Sequence, residues 1–517
     1  MTTIATRDGS NPFLDLGPAA RAALLGYLVI YRIFLPILHI LQTGGNHELL
    51  GPRIVAETVA TLLLAYPLIF HRREYGWLHP LVLPTLFTIG KAIAKNPFTL
   101  IFPFDFPAVD YTVATLSPAA ALAIPDHDLA AARLGEALIR CLAMAVLLLA
   151  FLYGPRLKVP RLKVYSGGRT VPVVAMAMIG VLVAISLAFI AAQGGLNELL
   201  VAMRGGRRAL FSEQGQFLFV AIAAPTIALV WFTYEEKPLR NVFFVGAFVA
   251  SALVAILVTG SRSSLILPVL TLVLLYWKRK RRPLIVPTML VVVFGLLVVG
   301  AFGSIRQDFG SSEVDTSVLT PSRWGEMISR AITETQSRDD EESNLAAFQG
   351  ANSKGLLWGK TYAGALAFFV PRALWETKPR TPDTYNMWIN YVGNRIDSEP
   401  PKQAYGIPVR AELEAYWNFH VFGVVAIFFL IGIFYRFVAN AAIVYDNVPF
   451  FWVVYLMLVL TFDGSSKSMV EVLRLLILIG IFLFAARILR LGSGSAQAGP
   501  AGVGAQVAAA PRLPVRS

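Results

Sequence analysis

The stretch Val171-Pro-Val-Val-Ala-Met-Ala-Met-Ile-Gly-Val-Leu-Val-Ala-Ile-Ser-Leu-Ala-Phe-Ile-Ala-Ala192 carries no charged side chain from end to end. In a bilayer core the backbone finds no water and must bond within its own segment, so the crossing element is a helix of about 20 apolar residues. This stretch has that length. Just before it, Arg156, Lys158, Arg161 and Lys163 crowd a short loop; just after it, Gln193-Gly-Gly195 opens a more polar stretch. An apolar span with a basic flank on one side predicts a membrane helix whose basic side faces the cytoplasm.

Measured with the same ruler, the whole chain divides into about twelve spans. They are Ala22–Leu41, Ile54–Phe70, Trp77–Ile93, Arg133–Tyr153, Val171–Ala192, Gln216–Tyr234, Val242–Thr259, Ser264–Trp277, Leu284–Gly303, Leu413–Tyr435, Pro449–Phe462 and Met469–Leu489. The third, eighth and eleventh are short or interrupted by proline. Composition agrees with that division. Of 517 residues, 56% are hydrophobic and 15% charged, against about 25% charged in soluble domains, and the mean hydropathy is +0.62. A disordered chain, a disulfide scaffold and an ordinary cytosolic enzyme are excluded. The net charge of +13 does not indicate nucleic acid, because the basic residues lie in short loops between apolar runs rather than along one face. The single cysteine, Cys141, falls inside such a run and says nothing about redox compartment.

The loop charges set an orientation. His71-Arg72-Arg73, the loop from Arg156 to Arg169, Lys237 with Arg240, the cluster Lys278 to Arg282, and Arg436 fall on one side, predicted cytoplasmic. Both termini are expected there too, and the first span is expected to be a retained anchor. The expected organisation is an all-α integral membrane protein: a cytoplasmic segment over 1–21, spans one to nine over 22–303, an extracytoplasmic loop domain over 304–412, spans ten to twelve over 413–490, and a disordered cytoplasmic tail over 491–517. The long loop is too rich in Trp, Phe and Tyr for disorder. Thr320-Pro321, followed by Trp324, Met327, Ile328, Ala331 and Ile332 at helical spacing, predicts a helix inside it.

The outer segments hold the candidate chemistry. Arg204, Arg207 and Arg208 lie in one, Arg306, Arg372 and Arg410 in the long one, and Arg262 in the tight turn Thr259-Gly-Ser-Arg-Ser-Ser264. Guanidinium groups in that pattern suit a phosphate or diphosphate. The plain alternative is a solvated loop face or, for Arg262, a side chain snorkelling to the membrane boundary. No His-Glu-x-x-His pattern or cysteine pair indicates a metal, and no Walker or dinucleotide glycine pattern indicates a nucleotide cofactor. Asp105, Asp110, Asp126 and Asp128 are the alternative for a loosely held divalent cation. Glu57, Arg32, Arg140, Glu471 and Arg474 are the charged groups expected within the membrane. They are few for a translocation path.

Three segments in order, Thr259-Gly-Ser-Arg-Ser-Ser264, then Trp358-Gly-Lys-Thr-Tyr362 with Phe369-Val-Pro-Arg-Ala-Leu-Trp375 and Lys378-Pro379, then Glu414-Ala-Tyr-Trp-Asn-Phe419 with Gly423, resemble the Wzy class of O-antigen and oligosaccharide repeat-unit polymerases. The likeness runs from about Gln193 to Phe462. His420 departs from it, since the family usually has Gly after Asn-Phe. The resemblance implies a GT-C-like glycosyltransferase of the bacterial inner membrane that needs no metal or other cofactor. It would transfer a growing glycan from undecaprenyl diphosphate to the next lipid-linked repeat unit on the outer face. The implied partners are that lipid-linked oligosaccharide and membrane lipids, with a chain-length regulator left open.

Under that implication Arg262, Arg372 and Arg306 stabilise the departing diphosphate. Glu414 is the expected base for the acceptor hydroxyl, with Glu412 behind it. Arg207, Arg208, Arg204, Arg410, Lys378, Tyr362, Trp375 and Asn418 are expected to bind substrate. Trp358, Tyr385, Trp388 and Trp417 are equally explained as sugar platforms or as an interfacial aromatic belt. The alternative for Glu414 is a surface carboxylate paired with Arg410 one turn away. The rival functions are an O-antigen ligase or other GT-C enzyme, and a flippase or transporter.

Overall fold

In a computed structural model of the chain, the described residues are 11–43, 49–86, 88–89, 129–160, 170–195, 198–199, 215–261, 263–286, 288, 291, 339–370, 374–400 and 406–493. Among them the protein is all helical, with no strand. The principal helices are α1 (Pro18–Gln42), α2 (Leu50–Leu64), α3 (Leu129–Tyr153), α4 (Thr170–Ala192), α5 (Gly215–Tyr234) and α6 (Val242–Thr259). They are followed by α7 (Ser263–Lys280), α8 (Asp339–Ser353), α9 (Lys360–Leu366), α10 (Ala411–Val444), α11 (Phe451–Thr461) and α12 (Ser466–Ser493). Six helices are long and apolar enough to cross a bilayer: α1, α3, α4, α6, α10 and the part of α12 from Ser466 to Ala485. The chain is a multi-pass α-helical membrane protein.

Several expected spans take a different form. The expected second span is α2 followed, after a turn at Ala65, by the short helix Tyr66–Ile69, because Pro67 cannot donate to a continuing helix. The start of the expected third span, Trp77 to Val82, is a buried chain of turns rather than a helix. There Trp77 and Leu78 donate backbone hydrogen bonds to Leu14 and Phe13. The eighth and eleventh are α7 and α11, short as their residues imply. Most of the ninth, the Thr320 helix and the aspartates of the first outer loop lie outside the described residues.

Local signals explain the helix ends. The Asn241 side chain caps α6 by accepting from the Phe243 and Phe244 amides at 3.1 and 3.3 Å, and Gly260 ends it in the left-handed conformation. Packing then assembles the bundle. α10 lies along α3, and a Cβ on Gly432 would sit 2.4 Å from the Leu147 carbonyl oxygen, so glycine there sets how closely the two backbones approach. The aromatic-rich core joins the N-terminal segment, α3, α5, α10, α11 and α12.

Three of the loop cations, Lys278, Arg279 and Arg436, meet at one end of this bundle. Lys278 at the close of α7 donates to Asp446 (2.5 Å) and to the Pro12 carbonyl (2.6 Å). Arg279 donates to the Glu235 and Glu236 carbonyls beyond α5. Arg436 donates to the Gly154 carbonyl at the end of α3 (2.6 Å). Cations on the open carbonyls of helix C-termini are favourable in themselves. The opposite end carries α8, α9 and the N-termini of α10 and α12.

Candidate functional site

At that opposite end, α10 begins with Arg410 as its N-cap and Glu412 and Glu414 in its first turn, where a helix N-terminus favours carboxylates. The segment from α8 to Tyr391 folds over it. Arg410 N donates to Asn344 Oδ1 at 3.0 Å, and the Ser343 hydroxyl donates to the Pro408 carbonyl at 2.7 Å. Asn386 Nδ2 donates to the Ser343 carbonyl at 3.0 Å, and Lys354 Nζ to the Ile389 carbonyl at 2.6 Å. Burial lowers the Lys354 pKa from its ordinary value.

Glu414 is fully buried. Its Oε1 accepts from the Thr361 hydroxyl of α9 at 2.6 Å, and its Oε2 accepts from the Ser466 amide at 3.0 Å. Ser466 is the first residue of α12, so the carboxylate caps that helix from outside and meets its positive end. Asn418 Nδ2 closes the cluster, donating to Thr361 Oγ1 at 2.9 Å and to the Glu414 carbonyl at 2.8 Å, while its own buried Oδ1 has no hydrogen-bond partner among the described residues. The Asp463-Gly-Ser-Ser-Lys-Ser468 turn presents the Ser466 amide. Asp463 Oδ1 accepts from the Ser465 amide (2.9 Å) and hydroxyl (2.7 Å), and Gly464 takes the positive φ of 92° that the turn requires.

α10 then breaks. Phe419 and His420 leave helical geometry, and His420 has φ 57° and ψ −152°, a region nearly reserved for glycine that costs another residue about 1–3 kcal/mol. Partners on the segment between α8 and α10 take up what the break exposes. Leu357 N donates to the Trp417 carbonyl at 2.9 Å, and Trp417 Nε1 donates to the Gly355 carbonyl at 3.2 Å. Tyr362 stacks on Phe419 with ring centroids 6.5 Å apart. Burial, then the nearby Glu414 and Asp463 carboxylates, hold the Tyr362 phenol well above its usual pKa.

A second charged cluster lies among α1, α2, α3 and the start of α10. Arg140 Nη1 is 3.0 Å from both Glu57 oxygens, and its Nη2 is 2.6 Å from Glu136 Oε1. Arg410 Nη1 donates to the same Glu136 oxygen at 3.1 Å, and Arg32 approaches Glu57 at 3.9 Å. Glu471 and Arg474, by contrast, line a cavity of about 50 Å³ with Phe219, Leu267 and Met457, room for water and not for a sugar.

No protein-family model, no curated protein and no solved structure matches this chain. The site therefore rests on its own geometry.

That geometry sorts the expected residues. Arg204, Arg207, Arg208, Arg262, Arg306 and Arg372 lie outside the described residues. The pairing of Glu414 with Arg410 is not what forms: Arg410 reaches Glu136 across to α3, and Glu414 turns inward to Thr361 and Ser466. As a base Glu414 has both oxygens engaged and no solvent contact, so what this arrangement gives it is a joining task between α9, α10 and α12. Trp417 and Tyr385 are fully buried and unavailable as sugar platforms, whereas Trp358 is 75% exposed. Lys378 Nζ donates to the Val370 carbonyl at 3.0 Å, and Trp375 Nε1 to Thr377 at 3.1 Å. Thr361 and Ser466 escaped the sequence reading. The Asp-Gly-Ser-Ser run before an apolar stretch is a helix-start signal that marks Ser466; nothing marks Thr361 as its neighbour.

Proposed function

We propose that the chain is a membrane glycosyltransferase of the Wzy type, a polymerase that moves a growing glycan from undecaprenyl diphosphate onto the next lipid-linked repeat unit. In this reading about twelve spans form a GT-C-like bundle, and the basic end faces the cytoplasm by the positive-inside rule. Transfer then takes place at the opposite end, on the outer face of the cytoplasmic membrane. The observation that carries the reading is the meeting of two segments that bear the resemblance, Trp358-Gly-Lys-Thr-Tyr362 and Glu414-Ala-Tyr-Trp-Asn-Phe419. They join through Thr361 to Glu414 (2.6 Å), Asn418 to Thr361 (2.9 Å) and the Tyr362–Phe419 stack. Two stretches so far apart in sequence, bonded at the outer start of a long helix, are what a site assembled from several loops requires.

Breaking the bond between sugar and diphosphate places negative charge on the leaving group. In a metal-independent enzyme, preorganised guanidinium groups must hold that charge. Arg262, Arg372 and Arg306 keep that task in this reading, with Arg204, Arg207 and Arg208 as secondary, substrate-binding candidates. Arg410 is committed to Glu136 and serves the scaffold.

The test is purified protein in proteoliposomes with one lipid-diphosphate-linked repeat unit, the products resolved by size. A ladder is expected, and Arg262→Ala and Arg372→Ala should each abolish it at unchanged protein level. Wild-type chain lengths from both variants would remove the arginines from the mechanism. Transfer only of finished polymer onto a different lipid acceptor, with no ladder, would make the protein a ligase instead.

A further inference from the structure

His420 stands at the break in α10, and three observations converge on its ring. The first is where it lies. α10 starts at the end opposite Lys278, Arg279 and Arg436, and the break comes about three turns into it, beside α9, whose N-cap Gly359 lies against Phe419, and close to exposed Trp358. The second is the backbone. A break alone is served best by glycine at φ 57° and ψ −152°, and histidine there is strained for an imidazole that the break does not need.

The third is the tautomer. Tyr416 Oη lies 2.7 Å from Asn352 Oδ1, an oxygen that can only accept, so the single phenolic proton is given there. The 2.8 Å contact between Tyr416 Oη and His420 Nε2 must then run the other way, with Nε2–H donating to the phenol oxygen. Nδ1 is left with its lone pair. His420 is an exposed residue, and its Nδ1 makes no hydrogen bond among the described residues. The ring is held from behind as well: His420 packs on Tyr416 at 4.5 Å between centroids, and Tyr416 stacks on Phe348 at 5.2 Å. An imidazole with one nitrogen fixed by an orienting partner and the other open at a site is the arrangement of a general base.

We infer that His420 is the catalytic base that takes the proton from the acceptor sugar hydroxyl, with Tyr416 and Asn352 as its positioning residues. The inference rests on the glycosyl-transfer reading above. In the step, the bond between the acceptor oxygen and the anomeric carbon forms, and the bond between that carbon and the phosphate oxygen breaks. The electron pair leaves with the lipid diphosphate. The hydroxyl proton moves to Nδ1, and the imidazolium returns it to solvent.

The test compares wild type, His420→Gly and His420→Asn in proteoliposomes with the lipid-diphosphate-linked repeat unit, and their thermal unfolding in detergent. His420→Gly should melt at or above the wild-type temperature, because glycine relieves the backbone, while transfer falls at least about a hundredfold. Added imidazole should restore part of the rate in His420→Gly, which no purely structural role explains. His420→Asn should fold and remain as slow. Wild-type transfer in His420→Gly, absence of imidazole rescue, or a lower melting temperature would each overturn the inference. Wild-type protein that makes no product overturns the transfer reading itself, a result distinct from an active wild type whose glycine variant is equally active.

Discussion

Glu57 and Glu136 on one side, and Glu414 on the other, are carboxylates at most 4% exposed in the same half of the molecule, yet the chain satisfies them in opposite ways. The first two meet guanidinium groups, with Arg140 between them and Arg410 and Arg32 at the edges. Glu414 meets neutral donors only: a threonine hydroxyl and the first amide of α12. The ion cluster joins α1, α2, α3 and α10 by charge, which in a low-dielectric setting is strong and unforgiving. The neutral cluster joins α9, α10 and α12 by hydrogen bonds from a backbone amide that only donates and a hydroxyl that can also accept. The difference predicts which of the two withstands substitution.

The largest effect is expected at Arg140. Arg140→Met takes from Glu57 and Glu136 the guanidinium they share, leaving Arg32 at 3.9 Å from one and Arg410 at 3.1 Å from the other, and removing one side of a buried ion pair costs about 3–5 kcal/mol. Detergent-solubilised protein should lose its sharp size-exclusion peak and melt far earlier. Adding Glu57→Gln and Glu136→Gln to that variant should recover most of the loss. If the single variant melts like wild type, the cluster does not hold these helices.

Glu414 separates the two clusters further. Glu414→Leu leaves the Ser466 amide and the Thr361 hydroxyl buried without their acceptor, a loss of about 1–3 kcal/mol for an unsatisfied group. Glu414→Gln should cost less. Its oxygen can accept from the Ser466 amide and its amide can donate to Thr361 Oγ1, so the acceptor for the threonine proton is the one partner lost. Melting temperatures should rank wild type, Gln, Leu, with transfer by the Gln variant near wild type. Lost transfer with an unchanged melting temperature would restore Glu414 as the base.

A third variant probes the break that separates the buried carboxylate from exposed His420. A Cβ on Gly423 would lie 2.3 Å from the Ala415 carbonyl oxygen, a fixed backbone atom. Gly423→Ala should cost about 1–3 kcal/mol, as crowding in packed interiors does, and should lower transfer by moving His420. An unchanged melting temperature would mean that the break is not held at Gly423.

The apolar runs and their basic flanks were enough to read a helical membrane protein, because one physical requirement, about 20 apolar residues per crossing, dominates such sequences. The same ruler misread Trp77 to Val82, where hydrophobicity reports burial under the N-terminal segment instead of a span. Glu414 was legible as special from its place at a helix start. Its partners were not, because Thr361 and Ser466 come from other helices, and one-dimensional spacing suggested Arg410 instead. His420 was legible only as a departure from a resemblance. Its backbone geometry, and the tyrosine that fixes its proton, are properties of the folded chain.

The smallest expected effect lies at Lys354, the mirror image of Glu414: a charged group facing a neutral partner, here an ammonium on the Ile389 carbonyl at 2.6 Å. Burial holds its pKa below the ordinary lysine value, about 10.4 in an unfolded chain. Between the folded and unfolded values the unfolded chain binds more protons, so stability rises with pH through that window. A neutral amine still donates to the carbonyl, and the contact survives deprotonation. If the contrast between charge-paired and neutrally held groups is right, Lys354→Met should flatten the alkaline rise of the melting temperature and change little at neutral pH. An ion-paired lysine gives the reverse, a melting temperature that falls as its proton is lost. A fall in the wild type that Lys354→Met abolishes would place an anion beside this ammonium and end the parallel with Glu414.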